Sequence, residues 1–262
     1  MIDHKGTTAL VTGGASGIGK AIATTLKRHG ATVIIADIDE ANLKTAAAEI
    51  GEGTHTIACD LADPGAPAQL IAQAHALTGR LDLVCSNAGI GRNKRLIKEP
   101  LDADTDRLFN VNLFAGLRLA QAYVSLLKEK GARGRMLFTA SENSLSVPTA
   151  VKGAGLGLYA ATKHALLIML EWLRDELKDA HAPIDTHVLL PGAVYTPLVA
   201  RVLPDPAKAP PALDLIMPAR CAALALKGMD LGLFYIPTQP HLLTDMQPRA
   251  EAMKASIKAL GL

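Results

Sequence analysis

The sequence predicts an α/β protein built on a parallel sheet, and three observations lead there. Short apolar runs of strand length alternate with longer stretches whose apolar residues recur at helical spacing. The first run breaks into a glycine-rich turn that opens a helical stretch, and Gly13, Asp37, Asp60 and Asn87 follow the first four runs. Such alternation implies right-handed βαβ crossovers and a parallel sheet flanked by helices on both faces.

Residues 8–12 form the first strand, and a helical pattern over 18–29 stops at Gly30. In the turn between them, Gly13, Gly17 and Gly19 lack the side chains that would keep a pyrophosphate from the backbone and the helix N-terminus. A tight turn that needs glycine for packing is the other reading. Residues 32–36 are the second strand, ended by Asp37, about 20 residues beyond the glycines as a ribose-binding acid should be. A carboxylate there accepts hydrogen bonds from ribose hydroxyls and repels the extra 2′-phosphate of NADP. No Arg adjoins Asp37 in the sequence, so NAD is the expected cofactor. Asp37 could instead cap a helix, but Asp39 is better placed to cap the one that stops at Gly51.

Residues 56–59 are the third strand, followed by Asp60, and Asp63-Pro64 read as the cap and first-turn proline of the next helix. Residues 81–85 are the fourth, ending in Ser86-Asn87-Ala88-Gly89. Gly13, Asp37, Asp60 and Asn87 then share the carboxyl edge of the sheet, where ligands of such sheets bind. Asp60 and Asn87 can each also be read as turn formers.

A helical pattern from about 104 to 130 carries Asn110 and Asn112 in its interior, where Asn is a poor helix former. They mark either a local kink or a solvent-facing position. Residues 135–140 are the fifth strand with Ser141 at its end, 146–158 read as a loop, and Tyr159 opens a helix to about 180. Tyr159 and Lys163, four apart, share a helix face. A cation beside a phenol of pKa near about 10 favours the phenolate and brings proton transfer toward neutral pH; a solvated surface pair is the plain alternative. Residues 184–190 are the sixth strand, closed by Pro191-Gly192-Ala193-Val194-Tyr195-Thr196, and 233–237 the seventh, before an amphipathic helix over 243–260.

With 262 residues, 49% of them hydrophobic, the chain fits one large or two small domains with ample core. A net charge of +2 and 3% aromatic residues offer nucleic acid neither a basic stripe nor a stacking platform. No apolar run approaches the roughly 20 residues that span a bilayer. Residues 1–5 lack the apolar segment of a signal peptide, so a cytoplasmic address is expected. Cys59, Cys85 and Cys221 are read as reduced core thiols, and the His residues show no metal-ligand spacing.

In this order the motifs resemble the short-chain dehydrogenase/reductase family: Thr12-Gly13-x-x-x-Gly17-Ile18-Gly19, Asp37, Asp60, Asn87-Ala88-Gly89, Asn112, Ser141, Tyr159-x-x-x-Lys163 and Pro191-Gly192-x-Val194-x-Thr196. The resemblance covers residues from about 7 to about 200. It implies a single Rossmann-type domain with a doubly wound seven-stranded sheet, and NAD(P)-dependent interconversion of an alcohol and a ketone. By position, Tyr159 would be the acid/base, Ser141 would hydrogen-bond the substrate oxygen, and Lys163 would depress the tyrosine pKa and hold the nicotinamide ribose. Asn112 would anchor a water in the proton relay. Asp60 would contact adenine, Asn87 the adenosine side, and Val194 and Thr196 the nicotinamide end. Ser16, Ile18, Ile38, Leu61, Ala88, Gly89, Pro191 and Gly192 complete the implied cofactor contacts.

The interval from Ser141 to Tyr159 is longer than the family's, so the loop through Pro148, Lys152 and Gly155 is expected to enlarge the substrate pocket wall, with Ser144 a rival for the serine role. The covering segment, about 196–232, carries Leu198, Val199, Val202, Leu203, Leu213, Leu215, Ile216 and Met217. These suggest an apolar alicyclic or aryl substrate, core packing being the alternative. A C-terminus without the family's closing glycine pair favours a homodimer packed through the two long helices over a homotetramer. Rival functions are an NAD-using isomerase or epimerase on the same fold, and a non-catalytic NAD-binding protein.

Overall fold

The computed structural model describes residues 4–262; the first three residues, part of the segment read for a signal peptide, lie outside the described residues. The order is β1 (Thr8–Thr12), α1 (Gly17–Arg28), β2 (Thr32–Asp37), α2 (Glu40–Ile50), β3 (His55–Ala58), α3 (Ala66–Thr78), β4 (Leu83–Ser86) and α4 (Ala103–Phe109). There follow α5 (Ala115–Lys130), β5 (Gly134–Thr139), α6 (Gly157–Asp179), β6 (Ile184–Leu190), α7 (Pro197–Ala200), α8 (Pro218–Asp230), β7 (Tyr235–Pro237) and α9 (Leu242–Ala259).

The strands form one parallel sheet in the order β3-β2-β1-β4-β5-β6-β7. Every residue of β1 is buried, as a central strand covered on both faces requires, which is why it reads as a continuous apolar run. Because side chains alternate across a strand, neighbouring residues feed different cores. Leu10, Ile34, Val84, Met136 and Val188 pack with Leu70, Leu119, Tyr123 and Leu166 from α3, α5 and α6. Val11, Ile35, Cys85, Leu137 and Leu189 pack on the other face with Ile22, Leu43 and Leu226 from α1, α2 and α8. The chain reverses its direction of travel across the sheet between β1 and β4, and a crevice opens there at the carboxyl ends of the strands.

Asp39 caps α2, its carboxylate accepting from the Asn42 N–H at 3.0 Å. Several local expectations need correction. Asp63-Pro64 do not start α3: Asp63 accepts from the Gly65 N–H in a turn, and the helix starts at Ala66 with Pro67 in its first turn. The long pattern over 104–130 is α4, one π-helical turn (Asn110–Phe114) and α5. Asn112 lies in that turn and is buried, so the solvent-facing reading is wrong for it. The interval 146–158 holds a 3₁₀ turn (Thr149–Val151), and α6 starts two residues ahead of Tyr159. Among the described residues no helix is long and apolar enough to cross a membrane.

Candidate active site

A cavity of about 330 Å³ opens at the carboxyl edge of the sheet. Of the residues singled out in the sequence, Gly13, Ser16, Gly17, Ile18, Asp37, Ile38, Asp60, Leu61, Asn87, Ala88, Gly89, Ser141, Tyr159, Lys163, Pro191, Gly192, Val194 and Thr196 line it. Gly19 and Asn112 stand behind the lining. At Gly19 a Cβ would collide with the Gly13 carbonyl oxygen, and at Gly13, with φ of +64°, one would come 2.9 Å from the Ala88 Cα. Glycine is therefore required twice in this turn, by close approach and by a left-handed backbone. The first turn of α1 carries no acidic residue, so its unpaired N–H groups present an uncompensated positive end.

The carboxyl ends of the strands are tied together by polar side chains. Thr12 Oγ1 accepts from the N–H groups of Asn87 and Ala88 at 3.0 and 3.1 Å. Asn87 Nδ2 donates to the Thr12 carbonyl, and Asn87 Oδ1 accepts from Thr139 Oγ1. Asn87 thus braces β1, β4 and β5 as well as lining the cavity. Asp37 accepts from the Ala15 N–H at 3.2 Å and from the Ile38 N–H at 2.8 Å, joining the glycine turn to the end of β2.

Asn112 is held in the π-helical turn by a two-point clamp on Ile90: its Oδ1 accepts from the Ile90 N–H at 2.8 Å and its Nδ2 donates to the Ile90 carbonyl at 2.9 Å. Nδ2 also donates to Thr162 Oγ1 at 3.3 Å, so the side chain joins the loop after β4 to α6.

Ser141 lies two residues beyond β5, and its hydroxyl accepts from the Asn143 N–H at 3.2 Å. Ser144, the rival serine, is buried, lies outside the cavity lining and has an Oγ without a hydrogen-bond partner. Lys163 is 3% exposed, donates to the Thr139 carbonyl at 2.9 Å and lies 5.8 Å from the centre of the Tyr159 ring. Burial lowers its ammonium to about 8. At Tyr159, burial pushes the phenol up, the Ser141 hydroxyl pulls it partly back, and the Glu142 carboxylate raises it further. Lys163 is not among the groups that set this shift. The Lys163 ammonium instead donates to the Thr139 carbonyl, beside the Tyr159 ring.

Arg107, Glu142, Gln239 and His241 escaped the sequence reading. Arg107, on α4, lines the cavity and holds Asp60 through two hydrogen bonds of 3.0 and 2.9 Å, keeping that carboxyl below its usual range. Gln239 accepts from the Gly192 N–H at 2.7 Å and donates to the carbonyls of Ala193 and Asp214, fixing the Pro-Gly bend after β6. Its place just past β7, at the same strand edge, was the available signal. Arg107 had none, since its pairing with Asp60 spans 47 positions. Glu142 is buried and accepts from His241 Nε2 at 2.9 Å.

Two expectations about the pocket walls are corrected. Pro148, Lys152 and Gly155 do not line the cavity: Gly155 packs on the backbone at Asn93 and Lys94, and Thr149 bonds Asp245 of α9. Of the apolar covering residues only Leu198 and Val199 reach the cavity, joined by Ile90, while Val202 and Met217 are exposed and Ile216 bridges Val194. The thiols are free, with Cys85 and Cys221 buried and Cys59 at the cavity edge; burial raises all three, Cys59 to about 11.

The family model described as short chain dehydrogenase matches residues 7–207. The chain is 37% identical over 196 residues to 1-deoxy-11-beta-hydroxypentalenate dehydrogenase of Streptomyces exfoliatus, covering 73% of this chain and 68% of that enzyme. It is 33% identical over 195 residues to momilactone A synthase of Oryza sativa subsp. japonica, covering 74% and 68%. In fold it resembles a short-chain dehydrogenase/reductase from Burkholderia phymatum, solved with NAD, with a TM-score of 0.84 and 22% identity over 98% of this chain and 97% of that one. A short-chain dehydrogenase from Sphingobium yanoikuyae, solved with NADPH, gives a TM-score of 0.75 and 23% identity over 97% and 94%.

Proposed function

Since this chain belongs to the short-chain dehydrogenase family and is an oxidoreductase of that family, we propose that it interconverts a secondary alcohol and a ketone, with NAD as hydride partner and Tyr159 as acid/base. One observation carries the reading: Ser141, Tyr159 and Lys163 line the same cavity into which the glycine turn and Asp37 open. The residues fit a dinucleotide. The start of α1 offers N–H groups without a competing acid, and Asp37 offers a carboxylate at the end of β2. Solved family members of similar fold were obtained with NAD or NADPH.

When bound, the nicotinamide supplies the hydride acceptor or donor. In reduction, Tyr159 donates its phenolic proton to the ketone oxygen, and burial keeps that phenol protonated at neutral pH. In oxidation the same oxygen takes the proton back. Ser141 hydrogen-bonds the substrate oxygen, and Lys163 contributes positive charge under the ring and a donor toward the nicotinamide ribose. Asn112 acts by holding Ile90 and Thr162, which fixes the wall beside Lys163. NAD is preferred because Asp37 confronts any 2′-phosphate while Arg107, the nearby cation, is engaged by Asp60. An apolar substrate is supported by Ile90, Leu198 and Val199 in the lining, and dehydrogenase relatives are named for a hydroxypentalenate. The protein is further proposed to act as a cytoplasmic single-domain homodimer.

The test is a panel of cyclic, aryl and sugar alcohols assayed with NAD. Tyr159→Phe is expected to lower kcat by at least about 10²-fold, the scale of general acid–base catalysis, while NADH binding, read by fluorescence, stays within twofold. A Phe variant with wild-type turnover removes Tyr159 from the mechanism. Turnover of sugars alone sinks the apolar reading.

A further inference from the structure

Directly behind the Ser141–Tyr159 edge lies a polar cluster for which the chemistry above has no use. Glu142, the residue after Ser141, is 8% exposed, and its N–H donates to the Pro191 carbonyl at 2.7 Å. Its Oε2 accepts from His241 Nε2 at 2.9 Å, and a Cβ on Gly192 would come 3.0 Å from the same oxygen. The carboxylate is thus seated between the catalytic serine turn, the Pro-Gly bend and the start of α9. His241 stands at the N-cap of α9, and its Nδ1 is buried, with Asp214 Oδ2 of the covering segment 3.8 Å away. Gln239 ties the same corner, reaching both Gly192 and the Asp214 carbonyl. A buried carboxylate is costly unless hydrogen-bonded, so a surface function cannot account for this arrangement.

We propose that Glu142 and His241 are a positioning pair for the catalytic edge: His241 pins the Glu142 carboxylate behind Ser141, and the charge held there sets the pH response of Tyr159. This rests on the reading of Tyr159 as acid/base. The charged and titratable groups facing the pair are Asp245 from α9, Tyr159 from α6 and Asp214 from the covering segment. Their effects have definite signs. Burial raises Glu142, the hydrogen bond and charge of His241 lower it, and Asp245 raises it. The Glu142 carboxylate in turn raises Tyr159, since a negative charge nearby disfavours phenolate. Glu142 therefore disfavours the phenolate, and His241 opposes the upward push that burial gives the Glu142 carboxyl.

The experiment has two arms. Phenolate absorbance, taken as the difference between each protein and its Tyr159→Phe counterpart so that the other tyrosines cancel, reports the Tyr159 midpoint without substrate or cofactor. Glu142→Gln is isosteric and is expected to move that midpoint to lower pH by about half a unit or more, as loss of a like charge should. An unchanged or higher midpoint overturns the proposal. In the turnover arm, His241→Leu removes the donor, burial drives Glu142 up, and the kcat/KM profile should gain an acid limb. The double variant Glu142→Gln/His241→Leu should lack that limb, and its persistence there overturns the pairing. Should Glu142→Gln fail to fold by circular dichroism, Glu142→Ala with His241→Ala carries the absorbance arm. If the wild type oxidises no alcohol, the functional reading fails on the turnover arm while absorbance still decides the pair.

Discussion

Lys163 and Asp37 show what one side chain contributes when its surroundings are known. Lys163 is almost fully enclosed, and burial brings its ammonium from the ordinary value of 10.5 down to about 8. Between those values the unfolded chain binds more protons than the folded one, so stability rises with pH across that window. The burial cost is therefore fully present below about pH 8 and relieved as pH approaches 10.5. Replacing Lys163 by Met should make the variant gain stability relative to wild type at pH 7 and lose that gain by pH 10.5. At roughly 1.4 kcal/mol per unit the difference between the two pH values is at most about 3.5 kcal/mol. Urea unfolding at both pH values measures it, and a pH-independent difference would contradict the burial account. For Asp37, substitution by Ser removes the charge that opposes a 2′-phosphate. The ratio of kcat/KM for NAD to that for NADP should fall by at least about tenfold, near 1.4 kcal/mol, and an unchanged ratio would show that discrimination lies elsewhere.

At the scale of elements, the π-helical turn between α4 and α5 deserves a physical reason. Asn is a poor helix former because its side chain competes for backbone groups, and here Asn112 does so with Ile90, 22 positions away. The widened turn and the clamp are one feature: an interior Asn that cannot serve its own helix serves the neighbouring loop. Asn112→Ala leaves the N–H and carbonyl of Ile90 without these partners, which should cost about 2 kcal/mol. A lower urea midpoint with an unchanged slope is expected; an unshifted midpoint would mean that Ile90 finds other partners. Near Ser141 a comparable reassignment has occurred. The long interval before Tyr159 was expected to widen the pocket, yet its Thr149 and Gly155 are spent on α9 and on the segment at Asn93 and Lys94.

For the whole molecule, large apolar side chains stand exposed at the start of α5 and along α6. Phe114, Ile168 and Trp172 are 41%, 52% and 68% exposed. Exposed apolar groups that cluster on a helix face mark an interaction surface, and a dimer packed through α5 and α6 would cover Ile168 and Trp172. Sedimentation at micromolar concentration should give twice the chain mass for wild type. Trp172→Glu, which buries a charge in that contact, should sediment as a monomer. A Glu variant that stays dimeric moves the interface elsewhere.

What could be read in the chain before any fold was known follows from locality. Strand and helix periods, the glycine turn, Asp37, Ser141 and the Tyr159–Lys163 spacing lie within single elements, and the alternation of elements implies which strand ends share an edge. Eighteen of the residues so chosen line one cavity for that reason. What only tertiary structure decided are pairings between distant segments: Arg107 with Asp60, Gln239 with Gly192, His241 with Glu142, Asn112 with Ile90. The same holds for the direction of the Tyr159 shift. Proton affinity depends on desolvation and on every charge within a few ångströms, and sequence spacing supplies one neighbour where the fold supplies all of them.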